Sequence, residues 1–179
     1  MTLARPQLGS RPRGFTLIEM LVTMAVGSIL LALAVPAFKT FMQNDKLMTQ
    51  ASALSMALYA ARAEAIKEDT AVQICASANS TSCSGATTWE QGWIVLSTAV
   101  GASPVQVVGT MPTGTTVRAG AVSQINFLST GLATTAAAFT LCDTRGSTQA
   151  RYVQLNSTGN VVASQNVGFD LNNNPLVCP

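Results

Sequence analysis

The side chains that could do chemistry in this sequence are few, and their types exclude most kinds of catalysis. The chain of 179 residues contains no histidine, four cysteines and eight acidic residues. Without histidine, neither a Ser-His-Asp nor a Cys-His arrangement can form. The only adjacent acidic pair, Glu68 and Asp69, is expected at a solvated helix end. The sequence has no phosphate-binding loop of the Walker type. We therefore expect neither an enzyme nor a cofactor.

The four cysteines point to structural disulfides and away from a metal site. None belongs to a CxxC pair, and zinc usually recruits histidine or closely spaced cysteines. An even number of cysteines behind an export signal is typical of an oxidising compartment. Four cysteines allow three pairings, and their spacing alone leaves the choice open. The residues are Cys75, Cys83, Cys142 and Cys178.

One acidic residue, Glu19, stands in an unusual place. It is the single charged residue in the 24 residues from Phe15 to Phe38. A helix of that length spans about 36 Å, enough for a bilayer core of roughly 30 Å. A carboxylate at the centre of a membrane helix costs roughly 2.5–3.5 kcal/mol. Glu19 lies near one end, where the cost is smaller, but it still needs a partner.

Three interpretations of this apolar segment are open at first. It is a plain transmembrane anchor, or a secretory signal peptide with an Ala32-Leu33-Ala34 cleavage site, or a processed anchor of another kind. A basic leader precedes it, with the arginines Arg5, Arg11 and Arg13. These arginines belong to a targeting signal and keep the leader cytoplasmic. Without the leader, seven basic and eight acidic side chains remain (7 − 8 = −1). Bulk charge therefore shows no basic surface for nucleic acid.

The residues Gly14-Phe15-Thr16-Leu17-Ile18-Glu19 favour the third interpretation, because they resemble the prepilin signature of type IV pilins and type II secretion pseudopilins. The resemblance implies that prepilin peptidase cuts after Gly14 and that Phe15 is then N-methylated. The resemblance also implies that Glu19 becomes the fifth mature residue and pairs with the N-terminal ammonium of a neighbouring subunit. That pairing would offset the desolvation of the carboxylate and fix the subunit register. Pro36 corresponds to a proline that marks a kink or a locally melted stretch in pilins.

The elements beyond Pro36 follow from periodicity. Apolar residues at alternating spacings of four and three predict a helix with one buried stripe, formed by Leu47, Ala51, Leu54, Leu58, Ala61 and Ala65. From Thr70 onward, short alternating runs predict strands. These are Ala71–Ala76, Trp93–Thr98, Val105–Val108, Thr115–Arg118, Ser123–Leu128, Phe139–Cys142 and Arg151–Leu155. Ser157 to Asn160 is predicted to be a hairpin turn, and Gln165–Pro179 a loop held by Cys178.

The predicted fold class is α+β: a pilin-like lollipop in which a long N-terminal helix packs against a small antiparallel β-sheet head. We expect four segments: a cleaved leader (1–14), a transmembrane or filament-core helix (15–38), the amphipathic half of the helix (39–69) and a β-rich head (70–179). Trp93 is expected in the core. Trp89 is placed equally well in the core or on a binding surface.

Two pieces of the head narrow the resemblance. "AVQICAS…CSG…WEQGWIVL" and "FTLCDTRGSTQARYVQLNSTGN" are similar to the GspH/FimT/FimU family of minor pilins and pseudopilins. The resemblance implies the pairings Cys75–Cys83 and Cys142–Cys178. It implies a minor pilin that co-assembles near the tip of a type IV pilus and helps initiate assembly. The expected partners are other major and minor pilins, prepilin peptidase and an inner-membrane assembly platform. The head is expected in the periplasm before assembly and on the cell surface afterwards.

Two alternatives share this resemblance. One is a minor pseudopilin of a type II secretion system, which has the same physical design. The other is a DNA receptor for natural transformation, because some FimT-type relatives bind DNA through a Gly-Arg-x-Arg segment after the last hairpin. The equivalent segment here, Gly159-Asn160-Val161-Val162, lacks both arginines. The remaining candidates for phosphate contacts are Arg118, Arg145 and Arg151, and Asp143 lies close to Arg145 in sequence.

Overall fold

The computed structural model of the chain describes residues 14–98, 101 and 103–179. The predicted leader arginines therefore lie outside the described residues. Within the described residues, one long helix, α1 (Leu17–Lys67), precedes eight strands. The chain divides after Met42 into two compact units, each of which contains part of α1.

The described part of the first unit, residues 14–42, is helical from Leu17 onward and almost entirely exposed. Its helix contains an 18-residue window with a mean hydropathy of 2.3, long and apolar enough to cross a membrane. Pro36 lies inside the helix, and its neighbours on both sides are helical. The resemblance to pilins allowed either a kink or a locally melted stretch at Pro36, and the structure has no melted stretch there. The Thr40 hydroxyl donates to the Pro36 carbonyl at 3.2 Å.

In the second unit, residues 43–179, the helix buries the predicted stripe. Five of the six predicted stripe residues are buried, and Ala51 is half-buried. Gln50 and Ala57 join the buried face. Ala57, Ala61 and Ala65 belong to the same hydrophobic core as the buried strand residues. The helix ends at Lys67, and Asp69 adopts a left-handed φ of 48° two residues later.

The strands form two antiparallel sheets of four strands each. The strands are β1 (Val72–Ala76), β2 (Trp93–Ser97), β3 (Pro104–Val108), β4 (Thr116–Arg118), β5 (Gln124–Phe127), β6 (Ala137–Cys142), β7 (Arg151–Leu155) and β8 (Val161–Ala163). The first sheet has the order β3-β2-β1-β5 and the second β4-β6-β7-β8. Each predicted strand is present, with ends within two residues of the prediction. A short 3-10 helix, Ser147–Gln149, was not predicted.

The core of the second unit contains both tryptophans. Trp93 is fully buried, as predicted. Trp89 is also fully buried, so it is a core residue and not part of a binding surface. Its indole Nε1 donates to the Val122 carbonyl at 2.9 Å, and its ring meets Phe139 edge-on with centroids 5.0 Å apart. This hydrogen bond explains how an indole can be buried in a loop segment.

The four cysteines form two disulfides, with the pairing that the resemblance implies. The loop disulfide, Cys75–Cys83, closes a Ser-rich loop beside β1. The tail disulfide, Cys142–Cys178, ties the end of the chain to β6. The tail is otherwise held by backbone hydrogen bonds, among them Gly168 N–H to the Ala150 carbonyl at 2.9 Å. Leu176 is buried beside the tail disulfide, so the tail is a fixed loop.

Candidate processing and assembly site

The residues around Glu19 form a capping box at the start of α1. The Glu19 N–H donates to the Thr16 hydroxyl at 3.3 Å, and the Thr16 N–H donates to a Glu19 carboxylate oxygen (Oε2) at 3.5 Å. Thr16 also accepts the first helical hydrogen bond, from Met20 N–H at 3.2 Å. This reciprocal pattern satisfies two of the helix's unpaired donors. The Thr-x-x-Glu spacing of residues 16 and 19 is the sequence signal that could have predicted this capping box.

The capping box leaves part of the Glu19 carboxylate free for another donor. Within the described residues, the second oxygen of Glu19, Oε1, makes no hydrogen bond. A carboxylate accepts several hydrogen bonds at once, so capping does not compete with an added cation. The positive end of the helix dipole favours a negative charge at this position. The geometry allows one carboxylate to cap its own helix and to accept from an ammonium group.

The backbone around the predicted cleavage position is open. Gly14 and Phe15 precede the helix and are exposed. A Cβ added to Gly14 would meet nothing within 4 Å. A residue without a side chain lets a peptidase approach the backbone closely. The bond between Gly14 and Phe15 is therefore accessible.

Between Glu19 and Lys39, the helix of the first unit has an apolar surface on all sides. The large apolar side chains of this unit are exposed, with Phe15 at 80%, Leu33 at 70% and Phe41 at 67%. The hydroxyl groups within its helical residues donate to backbone carbonyls of the same helix. Thr23 donates to the Met20 carbonyl at 2.9 Å and Ser28 to the Ala25 carbonyl at 2.8 Å, as Thr40 does to Pro36. Such a helix can enter lipid or pack among other apolar helices without burying an unpaired hydroxyl donor.

Two of the three arginines predicted as possible DNA contacts form salt bridges with acidic side chains of the same chain. Arg118, on β4, pairs with the Glu90 carboxylate. Arg145, in the turn between β6 and β7, donates from Nε to Asp143 at 2.9 Å and from Nη1 to Asn44 at 2.7 Å. Each guanidinium charge is thus offset by a carboxylate, which weakens its attraction for phosphate.

The third arginine, Arg151, does not join the other candidates. It lies opposite Leu141 in the second sheet, and Leu141 lies opposite Val117, so these three side chains share the buried face. Arg118 lies opposite Thr140 and faces the other side. Arg118 and Arg151 therefore point to opposite faces of one sheet. The structure does not assemble the predicted arginines into one basic patch.

Taken together, the fold and the helix start define a pilin-like protein: an apolar helix with a capped acidic start, continued into an α+β unit. The family model described as "Type II transport protein GspH" matches residues 50–159, more than half of the chain. The chain belongs to the GspH family. The "Prokaryotic N-terminal methylation motif" model matches residues 9–35, which include Gly14 and Glu19. The apolar helix together with this motif indicates membrane anchoring.

Two crystal forms of one solved protein show the same fold. The type IV minor pilin FimU of Pseudomonas aeruginosa, in space group P21, matches with a TM-score of 0.55 and 22% identity, over 70% of this chain and 98% of FimU. A second FimU crystal form, in space group P65, matches with a TM-score of 0.53 and 21% identity, over 66% and 92% of the two chains. The minor pseudopilin EpsH of the Vibrio cholerae type 2 secretion system has a TM-score of 0.49 and 13% identity, over 66% and 96%. No curated protein matches the sequence.

Proposed function

We propose that this protein is a minor pilin, a structural subunit that co-assembles near the tip of a type IV pilus and helps initiate its assembly. The observation that carries the proposal is the helix of the first unit, which is apolar between Glu19 and Lys39, exposed on nearly every side, and has one carboxylate at its capped start. An apolar helix of this kind needs lipid or other helices around it. A filament core of packed helices supplies such surroundings after the subunit leaves the membrane.

In this proposal, Gly14, Phe15, Glu19 and Pro36 act in processing and assembly. Prepilin peptidase removes residues 1–14, and Phe15 becomes the methylated N-terminus. The free Glu19 oxygen then accepts from the N-terminal ammonium of an adjacent subunit. Pro36 has no N–H, so the carbonyl of Ala32 loses its usual helical donor and the helix is easier to bend there.

The proposed processing and assembly steps also define where the protein lies and which proteins it contacts. Before assembly, the helix anchors the chain in the inner membrane with its head in the periplasm. An inner-membrane assembly platform then adds the subunit to other major and minor pilins, and the head reaches the cell surface. Two disulfides in the head suit the periplasm, where they form and persist.

The alternative is a minor pseudopilin of a type II secretion system, which is favoured by the description of the matching family model as a type II transport protein. The same helix and the same carboxylate would serve in a short periplasmic pseudopilus. The two proposals differ in what is lost with the protein. Loss of a minor pilin reduces surface pili, whereas loss of a minor pseudopilin stops secretion of exoproteins.

The test is deletion of the coding sequence in its source cell, followed by counting of surface pili and measurement of exoprotein secretion and transformation. The expected result is a loss of pili with normal secretion, restored by the wild-type chain. Lost secretion with normal pili would support the pseudopilin. Normal piliation with lost transformation would favour the DNA receptor.

Mass spectrometry of the mature chain is expected to give methyl-Phe15 as its N-terminus, and an N-terminus at Val35 would identify a signal peptide instead.

A further inference from the structure

The second unit contains a groove that the proposed function does not use. It lies between α1 and the end of strand β8 and has a volume of about 340 Å³. Met48, Met56 and Tyr59 of the helix line one side, and Arg151 and Ala163 of the sheet line the other. Met48 and Met56 are 60% and 67% exposed, so the helical wall offers a large apolar surface to a partner.

The strand wall of the groove has unused backbone hydrogen-bonding groups. In the β7–β8 hairpin, Asn156 N–H donates to the Asn160 carbonyl at 2.9 Å and Ser164 N–H to the Tyr152 carbonyl at 3.0 Å. Hydrogen-bonded pairs alternate along an antiparallel ladder, so Ala163 is in a non-bonded pair and its N–H and carbonyl point away from β7. Among the described residues, neither group has a partner.

The helix covers only one end of this strand edge. The Tyr59 hydroxyl donates to the Val161 carbonyl at 2.7 Å and thereby occupies the outward-facing acceptor of that residue. At Ala163, two residues further on, the edge is exposed. An exposed strand edge is a template for pairing with another extended chain.

The groove also contains an unbalanced positive charge. Arg151 makes no salt bridge with any of the described residues, and its buried Nε has no hydrogen-bond partner there. Arg151 lies on the buried face of β7 and is half-buried, with its Nε shielded from solvent. A buried guanidinium donor without an acceptor is costly, and a carboxylate is the ligand that suits it best.

From these three features we infer that the groove binds an extended segment of another subunit in the same filament. The segment adds a short strand beside β8 by exchanging hydrogen bonds with Ala163. A carboxylate in the segment accepts from Arg151, and a neighbouring apolar side chain lies between Met48 and Met56. This inference rests on the proposed function, because that function supplies the filament and its other subunits.

The test is photocrosslinking in the full-length chain in its source cell. The photoreactive residue p-benzoylphenylalanine replaces Met56 in the groove or, as a control, Val107 on β3, which is 46% exposed. The expected result is a Met56 adduct with a different pilin subunit in purified filaments. The crosslinked peptide is expected to contain Asp or Glu next to an apolar residue. An adduct with a second copy of this chain, or with a helical segment, would overturn the inference.

Two variants test whether formation of the Met56 adduct depends on binding of the segment in the groove. Arg151→Gln removes the cation, and Ala163→Pro removes an N–H that does not pair with β7, a place where a strand edge tolerates proline. Each is expected to reduce the Met56 adduct about tenfold, as the loss of a charge-assisted or backbone hydrogen bond at an interface would. Arg118→Gln is the matched control for Arg151→Gln and is expected to leave the yield of the Met56 adduct unchanged. An undiminished adduct in Ala163→Pro overturns the inference even if Arg151→Gln fails to fold.

The same filaments separate failure of this inference from failure of the proposed function. If the chain is absent from purified pili, the proposed function fails and the inference fails with it. If the chain is present in pili and Met56 gives no adduct, only the inference fails.

Discussion

Replacement of Glu19 by glutamine separates the two roles that the structure allows for this carboxylate. Glutamine also serves in a capping box, so Glu19→Gln keeps the acceptor for Thr16 N–H and removes only the charge. Thr16→Val does the opposite, because it removes the hydroxyl cap and keeps the charge. The pair of variants thus compares helix capping with intersubunit charge pairing at one site.

The expected magnitudes differ enough to be measured. Loss of an N-cap costs about 0.5–2 kcal/mol, and the long distances of 3.3 and 3.5 Å place this cap near the lower limit. A loss of about 0.5 kcal/mol corresponds to roughly a twofold change in an equilibrium. Removal of one partner of a buried ion pair costs about 3–5 kcal/mol, because the other charge stays buried and unpaired. At 3 kcal/mol this corresponds to more than about a hundredfold.

The assay is the fraction of the protein that is recovered in sheared surface filaments, at equal expression. We expect Thr16→Val to incorporate within a few-fold of wild type and Glu19→Gln to fall below detection. Mass spectrometry of both variants checks that cleavage after Gly14 still occurs, so that a processing defect is not mistaken for an assembly defect. If Glu19→Gln enters filaments as readily as wild type, the charge is not needed and the pairing with a neighbour's ammonium is refuted.

Three further predictions concern the stability of the second unit, measured by denaturant unfolding of the full chain in detergent. Trp89→Phe is expected to be more destabilising than Trp93→Phe by about 1 kcal/mol. The Trp89 indole donates a hydrogen bond to the Val122 carbonyl, whereas the Trp93 indole has no acceptor among the described residues. Equal losses of stability would contradict this. Gly159→Ala is expected to lower the free energy of unfolding by several kcal/mol, because its φ is +77° and the new Cβ would lie 2.1 Å from the Gly131 carbonyl oxygen. Gly120→Ala, which has a positive φ but open space around it, is expected to lower it by about 1 kcal/mol. Replacing both cysteines of the tail disulfide by serine is expected to lower the free energy of unfolding by about 4 kcal/mol, because this disulfide closes a loop of 36 residues. The same replacement in the loop disulfide, which closes 8 residues, is expected to lower it by about 2.5 kcal/mol.

Local periodicity was enough to predict most of the elements. The four-three spacing of apolar residues placed the helix stripe, and alternation placed the strands within two residues of their observed ends. The turn at Ser157 to Asn160 followed from its composition, and the structure closes it with a Gly159 N–H to Asn156 carbonyl bond of 2.9 Å. These signals are local, so a single sequence contains them.

The sequence was less informative where the outcome depended on contacts between distant segments. Trp89 lies in a loop, and nothing near it in sequence indicates that the Val122 carbonyl would satisfy its indole. The separation of Arg118 and Arg151 depends on the register of three strands, which a one-residue shift would have reversed. The division into two sheets is likewise a matter of long-range pairing.

The capping box also bears on why an acidic residue can exist in this segment at all. The first turn of a helix has donors without acceptors, and in an apolar environment each unpaired donor is costly. Thr16 and Glu19 satisfy two of those donors within the chain, so part of the carboxylate's desolvation is offset before any partner arrives. The group left over is an acceptor, the second Glu19 oxygen. A neighbour's N-terminal ammonium is a donor of the opposite charge, and processing after Gly14 would create it. A glutamine at position 19 could also accept from the Thr16 N–H but would attract no ammonium, so the cap alone does not explain why the residue is charged.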